Sequence, residues 1–237
     1  MKYSILFPYY NRIDQLSNTF ESFIKWYSDR DDYEVVIIED QKQNDDMHFR
    51  LILLIDLYKD CIPIKLIRTK AKVSFSPSTA FNEGFDVSEG DFIIVSNPEC
   101  LHETDILKGM DQIFDEDPDK YVVCSCKSLD QNGEMKTWYH HITHKDTKYH
   151  FCCGISKKNY AKIGGFDERY TVGYGYDDNS FRDSVLRAKL EFIDKGDMVV
   201  CHQWHQKLRP MAYRSLLKRN KDLYQMELNK LRIRNHA

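Results

Sequence analysis

The chain has 237 residues, of which 42% are hydrophobic and 13% aromatic, and this composition excludes disordered and fibrous proteins. The longest run without a charged residue, 73–82, has ten residues, whereas a membrane-spanning helix needs about 20 apolar ones. The amino-terminal residues lack the basic and then apolar pattern of a secretory signal. We therefore expect a cytoplasmic protein whose residues 1–206 fold as a single domain.

The net charge of −3 conceals an uneven distribution along the chain. Residues 207–237 contain nine Lys or Arg and two acidic residues, a net charge of +7, while residues 1–206 carry −10. Leucines recur among these basic residues, which predicts a basic helical extension that packs its apolar side on the domain. Peripheral contact with an anionic membrane surface is the alternative. Nucleic acid is not an expected partner, because no motif that reads it occurs.

The chain has seven cysteines, an odd number, and their spacing is irregular, with no CxxC pattern. A disulfide framework is therefore not expected, and the thiols are predicted to be reduced and mostly buried.

Apolar runs and helical periodicity alternate through the first hundred residues. Short apolar or β-branched runs predict strands at 3–8, 33–38, 64–67 and 91–96. Apolar residues at helical spacing predict helices at 13–26, 49–58 and 78–88. This alternation predicts an α/β fold with a mostly parallel central sheet flanked by helices.

The second half of the chain is less regular. Its predicted elements are helices at 106–114, 159–163 and 177–188 and strands at 121–126 and 198–201. Residues 137–150 show no clear period and are predicted to form a loop that closes over a bound molecule. A structural zinc site is another hypothesis for this region, although the spacing matches no standard pattern. Its candidate ligands are His140, His141, His144, His150, Cys152 and Cys153.

Polar side chains follow the predicted strands of the first half. Asn11 follows the first strand, Asp40 comes after the second, and Asn97 and Glu99 follow the fourth. In parallel sheets, ligands bind at the carboxyl ends of the strands. Carboxylates converging there suit a divalent cation and a phosphate-bearing ligand, although acidic residues also simply begin loops.

Two further clusters lie in the second half. The segment Gly173–Asp178 places two carboxylates after glycines at a helix start, where one of them is a candidate general base. The segment Cys201–His205 follows the last predicted strand, and either His202 or His205 is a candidate metal ligand there.

These clusters, in this order, resemble the family 2 glycosyltransferases over residues 2–206. The matching segments are Ile5–Arg12, Val35–Asp40, Ser76–Gly84, Gly90–Glu99 and Gly173–Phe181. The resemblance implies a Rossmann-like GT-A fold, with residues 1–100 as the nucleotide-binding half and residues 101–206 as the acceptor-binding half.

The resemblance also implies an activity and the residues that carry it. The implied reaction is inverting transfer of a hexose-type sugar from a nucleoside diphosphate, with UDP favoured, to a glycan or lipid-linked glycan. Asp178 would be the general base, Asp177 would hold a hydroxyl, and Glu99 and His202 would bind Mn²⁺ or Mg²⁺. The implied nucleotide-binding residues are Pro8, Tyr9, Asn11, Asp40, Arg68, Asn82 and Asn97. The implied residues for the sugar or acceptor are Tyr174, Gly175 and Trp204.

Two positions depart from the family pattern. Asn97 replaces the first carboxylate of the Asp-x-Asp signature, and Phe81 replaces an arginine of the third helix. Arg68, or one of Lys70 and Lys72, is expected to compensate near the phosphates. The loss of one carboxylate supports an alternative function, a catalytically weak or inactive homologue that binds a nucleotide sugar or glycan.

Overall fold

The computed structural model describes residues 1–41, 43–140, 151–206 and 210–235, with side chains as far as 231. The first half alternates strands and helices, as the sequence predicts. Its elements are β1 (Tyr3–Tyr9), α1 (Ile13–Tyr27), β2 (Tyr33–Glu39), α2 (Asp45–Tyr58), β3 (Ile64–Arg68), α3 (Ser78–Val87) and β4 (Phe92–Ser96). The second helix begins four residues before the predicted Phe49, because the Asn44 side chain caps it by accepting from the Met47 N–H.

The second half contains more strands than the sequence predicts. Its elements are β5 (Cys100–His102), α4 (Ile106–Phe114), β6 (Tyr121–Val123), β7 (Ser125–Leu129), β8 (Met135–Tyr139), β9 (Cys152–Ser156), α5 (Lys157–Ile163), α6 (Asp177–Arg187), β10 (Phe192–Ile193), β11 (Val199–His202) and α7 (Tyr213–Asn235). The single strand predicted at 121–126 was wrong, because the chain leaves one sheet at Cys124 and joins another. The prediction of a loop at 137–150 was wrong for residues 137–139, which belong to β8. Residues 141–150 lie outside the described part of the chain.

In the described residues the central sheet has seven strands in the order β10-β6-β9-β4-β1-β2-β3. The strands β4, β1, β2 and β3 run parallel, whereas β9 is antiparallel to both of its neighbours. A second sheet has the order β5-β11-β7-β8. The fold is therefore α/β with a mixed central sheet, which confirms the predicted class.

Helices cover both faces of the central sheet. Successive side chains of β1 point to opposite faces, so that Ile5 enters the core under α1 while Leu6 enters the core under α3. Gly84 permits the close approach of α3, because a Cβ there would lie 2.7 Å from Cδ1 of Ile38. This packing fixes the amino-terminal end of α3 beside the carboxyl ends of β1 and β2.

The predicted basic carboxyl-terminal helix is present as α7. It packs on the rest of the chain through Asn220, which is fully buried. Membrane contact through residues 207–237 stays a prediction, and residues 207–209 lie outside the described part. None of the described helices combines the length and the apolar character that crossing a bilayer requires.

The cysteines are unpaired, and six of the seven are buried, as predicted. Cys152 and Cys153 are adjacent on β9 and enter the cores on opposite faces of the sheet. The two thiols cannot bind one ion, so the zinc hypothesis that used both was wrong. Its ligands His141, His144 and His150 lie outside the described residues.

Candidate active site

A cleft of about 760 Å³ lies where β1, β2 and β4 end. Pro8 and Tyr9 from the end of β1, Asp40 after β2 and Asn97 after β4 all line it. Its volume is typical of a small-molecule site. The prediction that polar groups meet at the carboxyl ends of these strands is therefore confirmed in the geometry of the sheet.

Backbone and amide hydrogen bonds hold the loops at the rim of this cleft. The Asp40 N–H donates to the Tyr9 carbonyl at 2.9 Å, and the Gln43 N–H donates to the Asp40 carbonyl at 3.1 Å. The Gln43 side-chain oxygen accepts from the Asn11 N–H at 2.9 Å. The φ of Asn11 is 47°, in the left-handed region that Asn tolerates better than most residues. Asn11 is therefore a turn residue that orients the rim.

At one end of the cleft a carboxylate faces two imidazoles. The Glu99 Oε1 lies 3.6 Å from His202 Nε2 and 3.4 Å from His205 Nε2. One ligand atom from each of these residues lies within 4.8 Å of the others, close enough for all three to hold one ion. The predicted pair of Glu99 and His202 is therefore together, and His205 joins it.

Strand pairing explains why residues more than 100 positions apart meet here. In the antiparallel pair of β5 and β11, His202 lies opposite Cys100, the residue after Glu99. Beyond the strand, the Gln203 N–H donates to the Glu99 carbonyl at 2.9 Å. The buried Gln203 side chain then donates to the Gln15 carbonyl at 2.9 Å, which fixes the chain before His205.

The electrostatics of this cluster favour an ionised carboxylate. Burial raises the pKa of Glu99, but hydrogen bonding and charge from His202 and His205 lower it more, and the net pKa lies well below the usual range. A set of one carboxylate and two imidazoles fits Mn²⁺ and similar transition ions. Mg²⁺ prefers oxygen ligands, so the two histidines fit it less well.

A smaller cavity of about 240 Å³ adjoins the cleft and contains the second pair of carboxylates. Asn97 and Tyr174 line both cavities, whereas Asp177 and Asp178 line the smaller one. The aromatic side chains that line the smaller cavity include Phe75 and Phe151. The two predicted acidic clusters therefore lie on one continuous hollow, with Asn97 between them.

The carboxyl group of Asp178 in this cavity has an unusual pKa. Burial raises the pKa of Asp178 to about 6. A carboxylate with such a pKa is ionised at pH 7 and accepts a proton more readily than an exposed one. The residue before the pair, Tyr176, has a φ of 67°, which is strained for a bulky side chain.

Several residues implied by the family resemblance lie elsewhere among the described residues. Arg68, Asn82 and Trp204 do not line either cavity, and neither does Asn11. The Asn82 amide donates to the Phe166 carbonyl and its oxygen accepts from the Phe166 N–H, both at 2.9 Å. We therefore correct its role from nucleotide contact to anchor of the loop after α5.

Arg68 and Trp204 make other contacts in this structure, and their implied contacts with the nucleotide and the sugar stay predictions. An Arg68 guanidinium N–H donates to the Gln43 carbonyl at 3.0 Å, so this side chain stabilises the loop after β2. Trp204 is 48% exposed, and its carbonyl accepts from the Gln15 amide. The expected compensation near the phosphates by Lys70 or Lys72 is likewise absent from the lining.

The sequence reasoning missed several residues that line the cleft. Arg12 is the arginine in the lining, at the place where Arg68 was expected. Thr69 and the segment 74–77 also line it, and this segment is held because the Phe75 N–H donates to the Thr171 carbonyl at 2.8 Å. Arg12 was visible in the motif Ile5–Arg12, but only the fold shows that it faces the cleft.

A sequence model of Glycosyl transferase family 2 matches residues 4–191. The chain belongs to this family. His202, His205 and α7 of this family member lie beyond the matched residues.

Solved structures share the fold at low sequence identity. S. aureus TarS 1–349 has a TM-score of 0.70 and 15% identity over 86% of this chain and 60% of that chain. PcManGT is a mannosyltransferase from Pyrobaculum calidifontis, solved in complex with GDP-Man and Mn²⁺. It has a TM-score of 0.63 and 13% identity over 90% of this chain and 59% of that chain. GalNAc-T7 with UDP, GalNAc and Mn²⁺ has a TM-score of 0.68 and 15% identity over 87% of this chain and 44% of that chain.

The chain therefore covers less than two thirds of the length of these three structures. No curated protein sequence matches it significantly. At such identities the solved structures establish the fold alone.

Proposed function

We propose that this glycosyltransferase moves a hexose-type sugar, with inversion, from a nucleoside diphosphate to a hydroxyl of a glycan or lipid-linked glycan. UDP is the proposed nucleotide. The observation that carries the proposal is the single hollow with the Glu99 cluster at one end and the partly buried Asp178 at the other, on either side of Asn97. One end suits a diphosphate and the other suits a hydroxyl that must lose its proton.

The cleft supplies the groups that a nucleotide sugar needs. Pro8, Tyr9 and Asp40 line the part where β1 and β2 end, and they are the proposed contacts of the base and ribose. Arg12 adds a permanent positive charge for the diphosphate. Complexes of relatives with UDP-GlcNAc and with GDP-Man support a donor of this class.

Mn²⁺ is the proposed cofactor, held by Glu99, His202 and His205. When bound, such an ion supplies Lewis-acid stabilisation of the departing diphosphate. The two imidazoles compensate for Asn97, which cannot contribute the carboxylate of the usual signature. Glu99 directly precedes β5, His202 ends β11 and His205 follows it. Backbone hydrogen bonds join these two strands, so the protein presents the three ligands together.

Asp178 is the proposed general base. The acceptor hydroxyl oxygen forms a bond to the anomeric carbon while the bond from that carbon to the diphosphate oxygen breaks. The proton of the hydroxyl passes to the Asp178 carboxylate, and the electron pair of the broken bond leaves with the nucleoside diphosphate. Asp177, which is 6% exposed, is the proposed partner of a sugar or acceptor hydroxyl.

The smaller cavity is the proposed acceptor site. Phe75, Phe151 and Tyr174 give it aromatic faces on which the apolar side of a sugar ring packs. Gly175 leaves room beside Tyr174, and its φ of 68° is one that glycine adopts without strain.

A panel of UDP- and GDP-sugars with Mn²⁺ tests the proposal through release of the nucleoside diphosphate and through binding of each donor. We expect one donor to bind, to hydrolyse slowly alone and to react faster when a glycan acceptor is added. No binding of any donor would overturn the proposal. Binding without release under any condition would favour the catalytically inactive homologue.

A further inference from the structure

The segment 170–176, which leads into Asp177 and Asp178, is held by α7. The Tyr174 N–H donates to the Leu216 carbonyl at 3.2 Å. The rings of Tyr174 and Tyr213 meet edge to face at 4.8 Å, and those of Tyr176 and Tyr224 lie 5.5 Å apart. The carboxyl-terminal helix therefore contacts the acidic loop at several points.

Asn220 is the centre of this contact. Its side chain is fully buried, and its Nδ2 donates to the Tyr170 carbonyl at 3.0 Å and to the Gly175 carbonyl at 2.9 Å. Its oxygen accepts from the Arg219 guanidinium at 2.8 Å. One amide therefore joins both ends of the loop, and it satisfies two carbonyls that lie five residues apart.

Gly173 shows how closely the loop encloses this amide. A Cβ on Gly173 would lie 2.0 Å from the Asn220 oxygen and 2.8 Å from its nitrogen. Side chains do not approach so closely, so any larger residue at 173 must displace either the loop or Asn220. The glycine is required by the position of Asn220.

The loop needs such a restraint, because its backbone is strained next to the carboxylates. The φ of 67° at Tyr176 is unfavourable for a non-glycine residue and persists only where neighbours enforce it. Two such neighbours come from α7: the Tyr224 ring contacts the Tyr176 ring, and the Asn220 amide donates to the carbonyl of the preceding Gly175.

We propose that Asn220 is a positioning residue for Asp178, and that α7 is an integral part of the acceptor side of the site. The inference rests on the proposed function in taking Asp178 as the base. It goes beyond the family match, which ends at 191. By fixing the carbonyls of Tyr170 and Gly175, the amide sets where α6 begins and where its first-turn carboxylates lie.

The primary test compares two swaps of equal size on the same helix. Asn220→Asp keeps the shape but replaces the donor that faces two carbonyls with a carboxylate oxygen. Glu227→Gln is the control, because it removes an ion pair between α7 and Arg169, at 3.0 Å, without touching the loop. We measure kcat for transfer, the donor Kd and hydrogen exchange in peptides that cover 171–178.

For Asn220→Asp we expect kcat to fall about 10- to 100-fold, because a small displacement of a reacting group has an effect of this size. The donor Kd should stay within about two-fold of the parent value. Exchange in 171–178 should rise while the central sheet stays protected. Glu227→Gln should retain the parent kcat and exchange. A kcat within two-fold of the parent, or unchanged exchange in the loop, would overturn the inference.

A double-mutant cycle keeps the test decisive if Asn220→Asp does not fold. Gly173→Ala alone should lower kcat strongly, because the methyl group meets the Asn220 side chain. In the Asn220→Ala background, Gly173→Ala should lower kcat by a smaller factor than in the parent. This difference measures the coupling between the two sites. Additive effects would overturn the inference. If the parent protein transfers no sugar, the exchange data still decide whether Asn220 holds the loop, so the two proposals fail separately.

Discussion

The Glu99 carboxylate lies 3.4 Å from the His205 imidazole and 3.6 Å from that of His202. We expect Glu99→Gln to weaken binding of Mn²⁺ alone by at least about 10- to 100-fold, because the change removes the only anionic ligand of the proposed set. Titration calorimetry with Mn²⁺ measures this. The control is Glu103→Gln, a nearby carboxylate that pairs with Lys127 at 2.5 Å instead. Equal Mn²⁺ affinity in the Glu99 variant and the parent would contradict the assignment.

Asp178→Asn should abolish transfer and leave donor binding nearly intact. The proposed role of Asp178 is to accept the proton, so its loss should lower kcat by about 10²–10⁴-fold. Donor Kd by calorimetry and transfer rate by nucleotide release separate the two effects. Equal loss of binding and transfer would show that Asp178 is structural.

The same substitution should stabilise the folded protein at neutral pH. Burial raises the pKa of Asp178 from 3.8 to about 6, so the folded state binds this proton more tightly than the unfolded chain. The stability that this group contributes is present below pH about 4 and is lost as pH rises through about 6. At pH 7.5 Asp178→Asn should therefore raise the free energy of unfolding by on the order of 3 kcal/mol.

Urea unfolding at pH 4 and pH 7.5 measures this difference. The variant and the parent should be close in stability at pH 4, and the variant should be the more stable at pH 7.5. A variant that is less stable than the parent at both pH values would contradict the raised pKa of Asp178.

The rate of transfer should depend on pH through the same group. A base must be ionised, so kcat at saturating Mn²⁺ and donor should rise about tenfold per unit below pH 6 and level off above pH 7. A profile that stays flat down to pH 5 would exclude Asp178 as the base, since the buried carboxyl would then be protonated.

Arg12 and Arg68 provide a matched pair of arginines on the same rim. Arg12 lines the cleft, whereas Arg68 donates to the Gln43 carbonyl behind it. Arg12→Ala should raise the donor KM about tenfold, the loss of one hydrogen bond to a charged group, with little change in kcat. Arg68→Ala should change the donor KM less than threefold. A larger rise in donor KM for Arg68→Ala than for Arg12→Ala would contradict this assignment. It would support the sequence-based expectation that Arg68 lies near the phosphates.

Local pattern was sufficient to predict much of the fold. The helix at 106–114 has the bounds that its apolar spacing indicates, and the Asp105 side chain caps its start by accepting from the Lys108 N–H. The rule that ligands gather at the carboxyl ends of parallel strands placed Asp40, Asn97 and Glu99 on one cleft, whereas Asn11, to which the same rule applied, does not line it. These features depend on short-range sequence and on the general geometry of parallel sheets.

What the sequence could not supply was the direction of individual side chains and the contacts between distant segments. Asn82 matched a family motif, yet its amide turns to Phe166. The strand break at Cys124 arises because the residues on either side pair with different sheets. The contact of Asn220 with the loop before Asp178 joins segments 42 residues apart, and no periodicity signals it.

The central claim is that one hollow holds the diphosphate at the Glu99 cluster and the reacting hydroxyl at Asp178. A crystal structure of Asp178→Asn grown with Mn²⁺ and the donor that binds tests this most directly. The account predicts Mn²⁺ on Glu99, His202 and His205, a diphosphate beside it, and the anomeric carbon facing residue 178. A donor bound with its diphosphate away from Glu99, or with residue 178 remote from the sugar, would contradict it.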